Sequence, residues 1–134
     1  MATIDEQIET FLTAPSFGVI GASIKREKYG NKVLRCYQQN QRSVIPVNPV
    51  EQKIEGETCA ASVNDLPAET VSISVITPPK VTEQVIEQAI AKGIKNIWMQ
   101  PGAESPAAVA ACEAAGINVI ADGSCLLVVL GYHE

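Results

Sequence analysis

The stretch FGVIGASIKREKYGNKV, residues 17–33, holds the residue types that a phosphate group needs. Gly21 lets a ligand come close to backbone, and a helix amino terminus farther along would supply oriented N–H donors. The spacing excludes the commonest phosphate turns. A dinucleotide fingerprint places its last glycine three residues after the second, whereas Gly18 and Gly21 are followed only by Gly30. The excursion from Ala22 to Tyr29 therefore has to pass around something bulkier or be held differently. A G-K-[ST] triplet occurs nowhere, which removes the triphosphate P-loop. Residues 17–53 carry seven of the ten basic side chains (Lys25, Arg26, Lys28, Lys32, Arg35, Arg42 and Lys53) against Glu27 and Glu51, so a chain of net charge −5 has one positive stretch. Such cations suit a ligand with several phosphates; the competing reading is a set of solvated helix and loop side chains.

Other candidate chemistry is sparse. The four cysteines, Cys36, Cys59, Cys112 and Cys125, form no C-x-x-C pair and the one histidine is His133, which argues against a zinc site or a disulfide framework. Cys125 follows the fifth expected strand and is the one candidate nucleophile, but its sequence neighbours include no base or cation that would activate a thiol. A structural role competes with a reactive one there. Cys36 and Cys112 read as small hydrophobes packed in helices, Asp122 as a turn former beside Gly123, and Trp98 as strand core. No acid–base pair, metal cluster or Ser-His-Asp set emerges, so the chain reads as a binder rather than an enzyme.

These residues have to be positioned by a regular scaffold, and the hydrophobic periodicity supplies one. Thr3 and Glu6 form a capping box ahead of Ile4, Ile8, Phe11 and Leu12, predicting a leading helix at about 3–12. Strands are expected at 17–21, 43–47, 71–76, 96–99 and 117–120. Between them, a helix capped by Asn31 runs to about Asn40, a second opens at Pro79 and stops at Gly93, and a third opens at Ser105-Pro106 and stops at Gly116. Residues 50–70 read as loop with a single turn of helix, and Leu126 to Leu130 as an extra strand or a subunit contact. Strand and helix alternate through short connections, which predicts a three-layer, Rossmann-like, doubly wound α/β sheet of about five parallel strands in one domain spanning 1–134. Ligands of such sheets sit outside the carboxyl ends of the strands, which singles out the loops 21–30, 48–53, 77–81, 100–105 and 121–125.

Composition narrows the partner. Hydrophobic residues make up 46% and charged residues 19%, an ordered globular composition. Aromatics at 4% and a negative net charge argue against nucleic acid. No apolar run approaches the roughly 20 residues that span a bilayer, and MATIDEQIET lacks the pattern of a secretory signal, so a reducing cytoplasm is the expected compartment.

In order along the chain stand GxxGAS, YGNKV, VIPVNP, ITPPKV, IWMQPG and a cysteine after the fifth strand. In this order the sequence resembles the family of small stand-alone CoA-binding proteins and, more distantly, the amino-terminal CoA-binding domain of the succinyl-CoA synthetase α subunit. The likeness runs from about Phe17 to Cys125. It implies that the ligand is coenzyme A or an acyl-CoA. Gly21, Ala22 and Ser23 would pack against its phosphates, with Gly30 in the same turn and Lys25 or a neighbouring cation paired to them. Asn48, Pro49 and Lys53 would line the nucleotide end. Thr77, Pro78, Pro79 and Val81 would wall the adenine or the pantetheine arm, which Gln100, Pro101 and Gly102 would reach from the other side, with Cys125 near its thiol. Pro78 and Pro79 are equally accounted for as a fixed helix start. The synthetase's phosphorylated histidine has no counterpart, since His133 lies beyond the matched region, and Asp122-Gly123-Ser124-Cys125 stands where many relatives carry Asp-Arg-Cys. Three other readings remain: a small NAD(P)-dependent oxidoreductase, disfavoured because Asn48-Pro49 ends the second strand with no acidic residue for a ribose hydroxyl, a partner-dependent subunit of an acyl-CoA ligase, and a redox role in which Cys125 forms a mixed disulfide with CoA.

Overall fold

The computed structural model describes residues 2–134. Helix α1 (Ile4–Leu12) starts with the capping box, Thr3 accepting from the Glu6 N–H while the Glu6 side chain accepts from Thr3. Strand β1 (Phe17–Ile20) leads to helix α2 (Tyr29–Gln39), strand β2 (Val44–Val47), a short hairpin of β3 (Lys53–Ile54) and β4 (Glu57–Thr58), and a 3-10 turn at Val63–Asp65. Strand β5 (Ser72–Val75), helix α3 (Pro79–Lys92), strand β6 (Asn96–Met99), helix α4 (Pro106–Ala114) and strand β7 (Asn118–Ile120) follow. The main sheet is wholly parallel in the order β2-β1-β5-β6-β7. No described helix is long and apolar enough to cross a membrane.

The side-chain alternation of the strands divides the core into two unlike layers. Ile20, Ile73, Val75, Ile97, Met99 and Val119 face α3, α4 and the 3-10 turn in a layer built from aliphatic side chains, Ala, Cys and Met. The opposite faces present Phe17, Val19, Trp98 and Ile120 to α1 and α2. There Phe11 meets the Trp98 ring edge-on at 5.3 Å and Phe17 stacks on Tyr37 at 4.9 Å. The serines of β5 point into this aromatic layer and are satisfied: Ser72 donates to the Phe11 carbonyl and Ser74 bonds the Tyr37 hydroxyl at 2.7 Å. Burying these hydroxyls unpaired would destabilise the sheet.

The sheet's edges are also met. Pro46 sits in edge strand β2, where a missing N–H is tolerated, and its carbonyl accepts from Ala60. At the other edge the Gln7 amide donates to the Val119 carbonyl.

Three expectations change. Helix α2 begins at Tyr29, so Asn31 lies inside its first turn rather than capping it. The buried Asn31 amide donates to the Ser23 carbonyl and Glu55 and accepts from Arg35, partners that a cap position would not reach. Residues 50–70 contain the β3-β4 hairpin in addition to one helical turn. The segment after Cys125 adds no strand: Leu126 is buried in the aromatic layer and Leu127–Gly131 forms a wide helical turn, with the Cys125 carbonyl accepting from Val128 and Val129.

Candidate functional site

The order of the strands creates the site. The chain leaves β1 for β2 on one side and returns across β1 to β5 on the other, so the loops after β1 and β5 diverge and leave a crevice between them. Gly21 ends β1 at φ +96°, and a Cβ there would come within 2.7 Å of the Ile76 carbonyl oxygen. Only glycine allows both the left-handed backbone and this approach. Gly30 is as constrained from the other direction: a Cβ on it would collide with the Gly21 carbonyl. The two glycines, nine positions apart, touch, and the amino-terminal turn of α2 rests on the turn that closes β1. Lys28 precedes that helix without a side-chain cap, and its first turn holds no acidic residue.

A cleft of about 270 Å³ opens at this point, lined by Gly21, Ala22, Asn48, Pro49, Thr77 and Val81 together with Ser62, Val63 and Gln88. A second depression of about 490 Å³ shares Asn48, Pro49 and Ala61 with it and extends past Lys53 and Cys59 to the β3-β4 hairpin. Asn48 ties the loops together. Its amide donates to the Ala22 carbonyl at 3.0 Å, and its oxygen accepts from the N–H groups of Val50 and Glu51. Thr77 bonds Thr82 across the start of α3, where Pro78 and Pro79 are exposed.

The excursion between the glycines is pinned rather than loose. The Ser23 hydroxyl accepts from the Lys25 N–H, and Arg35 donates to the Arg26 carbonyl at 2.7 Å. Arg26 reaches the hairpin to pair with Glu55, which also accepts from Asn31. Partial burial disfavours the Glu55 carboxylate, but the Asn31 amide and the Arg26 guanidinium outweigh it and hold this carboxyl below its usual range. Lys25 itself is exposed on the loop.

At the ends of β6 and β7 the construction differs. Gln100 is fully buried; its side-chain oxygen accepts from Tyr29 at 3.1 Å and from the Leu126 N–H at 2.9 Å. The Tyr29 hydroxyl also lies 2.7 Å from the Cys125 sulfur. Burial, and next the bond to Cys125, raise the Tyr29 phenol above its usual range, so it stays protonated. Trp98 is buried, with its indole N–H donating to the Ser124 carbonyl. Pro101 and Gly102 are exposed beyond β6.

Seven of the expected residues thus gather around the connected clefts: Gly21, Ala22, Asn48, Pro49, Lys53, Thr77 and Val81. Gly30 and Ser23 support them from behind, Gln100 and Cys125 are joined through Tyr29 at a separate corner, and Pro78, Pro79, Pro101, Gly102 and Lys25 are exposed and line neither cleft. Sequence reasoning missed Tyr29, Asn31, Glu55 and Cys59. The signal for Glu55 was Glu-Gly in KIEGET, since Glu55 and Gly56 both have positive φ, as a two-residue hairpin turn requires.

Comparison with known proteins agrees with this fold. A conserved hypothetical protein from Pyrococcus furiosus superposes with a TM-score of 0.82 at 38% identity, covering 85% of this chain and 97% of that one. A hypothetical protein from Pyrococcus horikoshii OT3 gives 0.87 at 29% identity, covering 95% and 89%. In sequence, the α subunit of an ADP-forming acetate–CoA ligase II from Pyrococcus furiosus is 29% identical over 91 residues, 67% of this chain but 20% of that subunit's length. The model of the CoA binding domain matches residues 15–130, and the chain belongs to that family.

Proposed function

We propose that the chain binds coenzyme A or an acyl-CoA across the carboxyl ends of its strands, without catalysis of its own. The observation that carries this reading is the meeting of Gly21, Ala22, Asn48, Pro49, Thr77 and Val81 at one crevice where the strand order reverses, in a chain of the CoA binding domain family. Phosphates would rest against the Gly21 turn and the uncapped amino terminus of α2, where backbone donors and the helix dipole favour anions and Lys25 and Lys28 add charge. Lys53 would meet the nucleotide end along the second depression, and the rigid Pro49 and the Thr77-Pro78-Pro79 turn would wall the ligand. Gln100, Pro101 and Gly102 would border the arm as it crosses β6.

Calorimetry with CoA, acetyl-CoA, NAD and NADP tests this. Saturable heats with the CoA series alone are expected; saturable binding of NADP with no response to CoA would overturn the reading. The likeness to a ligase α subunit supports a second role, in which the bound CoA is presented to a protein partner. Size-exclusion chromatography with a nucleotide-grasping ligase subunit that lacks its own CoA domain would show a complex, and two separate peaks would remove that role.

A further inference from the structure

Gln100 is wholly buried, and the N–H of Leu126 fixes which end of its amide is oxygen. Its Nε2 is left with no acceptor among the described residues, while its oxygen accepts from the hydroxyl that touches Cys125. A buried N–H₂ without a partner is costly, and in a folded protein it marks a place where a ligand or water completes the bonding. The pantetheine arm of CoA carries amide carbonyls that can accept from it, with a thiol beyond them. From the crevice beside β5 to the end of β7 the distance is two strand spacings, about 10 Å, which an extended arm can cross.

We propose that Cys125 is a thiol–disulfide exchange site for a CoA disulfide, with Gln100 holding the arm and Tyr29 as the positioning residue; the proposal rests on the CoA-binding reading above. In the resting thiol, Cys125 donates to the Tyr29 oxygen and Tyr29 donates to Gln100. When Cys125 ionises, releasing its proton to solvent, the Tyr29 hydrogen turns to the sulfur while Leu126 keeps the Gln100 oxygen satisfied. The thiolate then attacks one sulfur of a CoA disulfide. The ligand's S–S bond breaks as the Cys125–CoA bond forms, and the second CoA leaves as a thiolate that takes a proton from water. One disulfide replaces another, so Cys125 is oxidised, the departing CoA is reduced, and no other oxidant enters. The other cysteines are poorer candidates: burial pushes the Cys36 and Cys112 thiols up to about 11, and burial raises Cys59 as well.

The test is intact-mass spectrometry and peptide mapping of the full chain exposed to CoA disulfide and, in parallel, to glutathione disulfide. One CoA adduct on Cys125 is expected, formed at least about tenfold faster than the glutathione adduct, reversed by reductant and lost in Cys125→Ser. Tyr29→Phe should slow it about tenfold at neutral pH, the worth of a hydrogen bond to a charged group, and move the pH profile of the reaction upward. An adduct on Cys59, equal rates with both disulfides, or an unmoved Tyr29→Phe profile would overturn the proposal. Calorimetry with reduced CoA separates the two readings: saturable binding without an adduct defeats the exchange site alone, whereas no binding defeats both.

Discussion

The two ends of the candidate site are made of different materials. On the β1, β2 and β5 side the ledge is backbone and small side chains, with Gly21 and Gly30 in contact and one asparagine bridging the loops. On the β6 and β7 side the corner is made of large polar side chains, Gln100, Tyr29 and Trp98, each buried or half-buried and each bonded to a distant segment. A backbone ledge fixes shape through sterics, so it tolerates no added atom. A side-chain corner fixes hydrogen-bond direction, so it tolerates no lost partner.

Substitutions can break this contrast. Gly30→Ala is expected to cost most, about 3 kcal/mol or more, because its Cβ meets a backbone carbonyl that cannot step aside; chemical denaturation would read it, and a near-neutral result would show that the ledge yields. Gln100→Met keeps volume but strands the buried Leu126 N–H, for an expected loss of about 1–3 kcal/mol in the same assay. Asn48→Ala removes three hydrogen bonds at half-exposed groups, so about 1–2 kcal/mol of stability should go, together with about tenfold in CoA affinity by calorimetry.

Smaller effects sharpen the comparison. The Glu55 carboxyl is depressed in the fold, so its stabilisation is complete above its ordinary 4.5 and is lost as pH falls through the lower folded value. Melting curves of Glu55→Gln should therefore fall below wild type at neutral pH and converge with it in acid. Lys53→Ala, on the exposed rim, is expected to leave melting unchanged and to weaken CoA about two- to threefold at low salt, an effect that salt erases.

The same contrast explains what could be read from sequence. The ledge was readable because glycines, prolines and the Asn48-Pro49 pair carry local conformational rules, and α3 runs from Pro79 to a left-handed Gly93 as those rules require. The family-specific order of loops then supplied the family. The corner was not readable: Tyr29 and Cys125 stand 96 positions apart, and nothing in either neighbourhood points to the other. Asn31 misled for a related reason. A short polar residue near a helix start satisfies the capping rule, but here its partners, Ser23 and Glu55, come from two loops. The β3-β4 hairpin escaped because two-residue strands carry too few positions for a period.

Because Gly21 and Gly30 touch, the eight residues between them form a closed ring whose base is part of the sheet scaffold and whose rim is held by side-chain bonds rather than by the sheet. Lengthening such a ring costs little, about 0.6 kcal/mol per doubling. A dinucleotide-binding turn and this one then differ in ring size over a common floor. The segment from Ala22 to Tyr29 is accordingly where ligand preference could be rewritten while the fold beneath it stays the same.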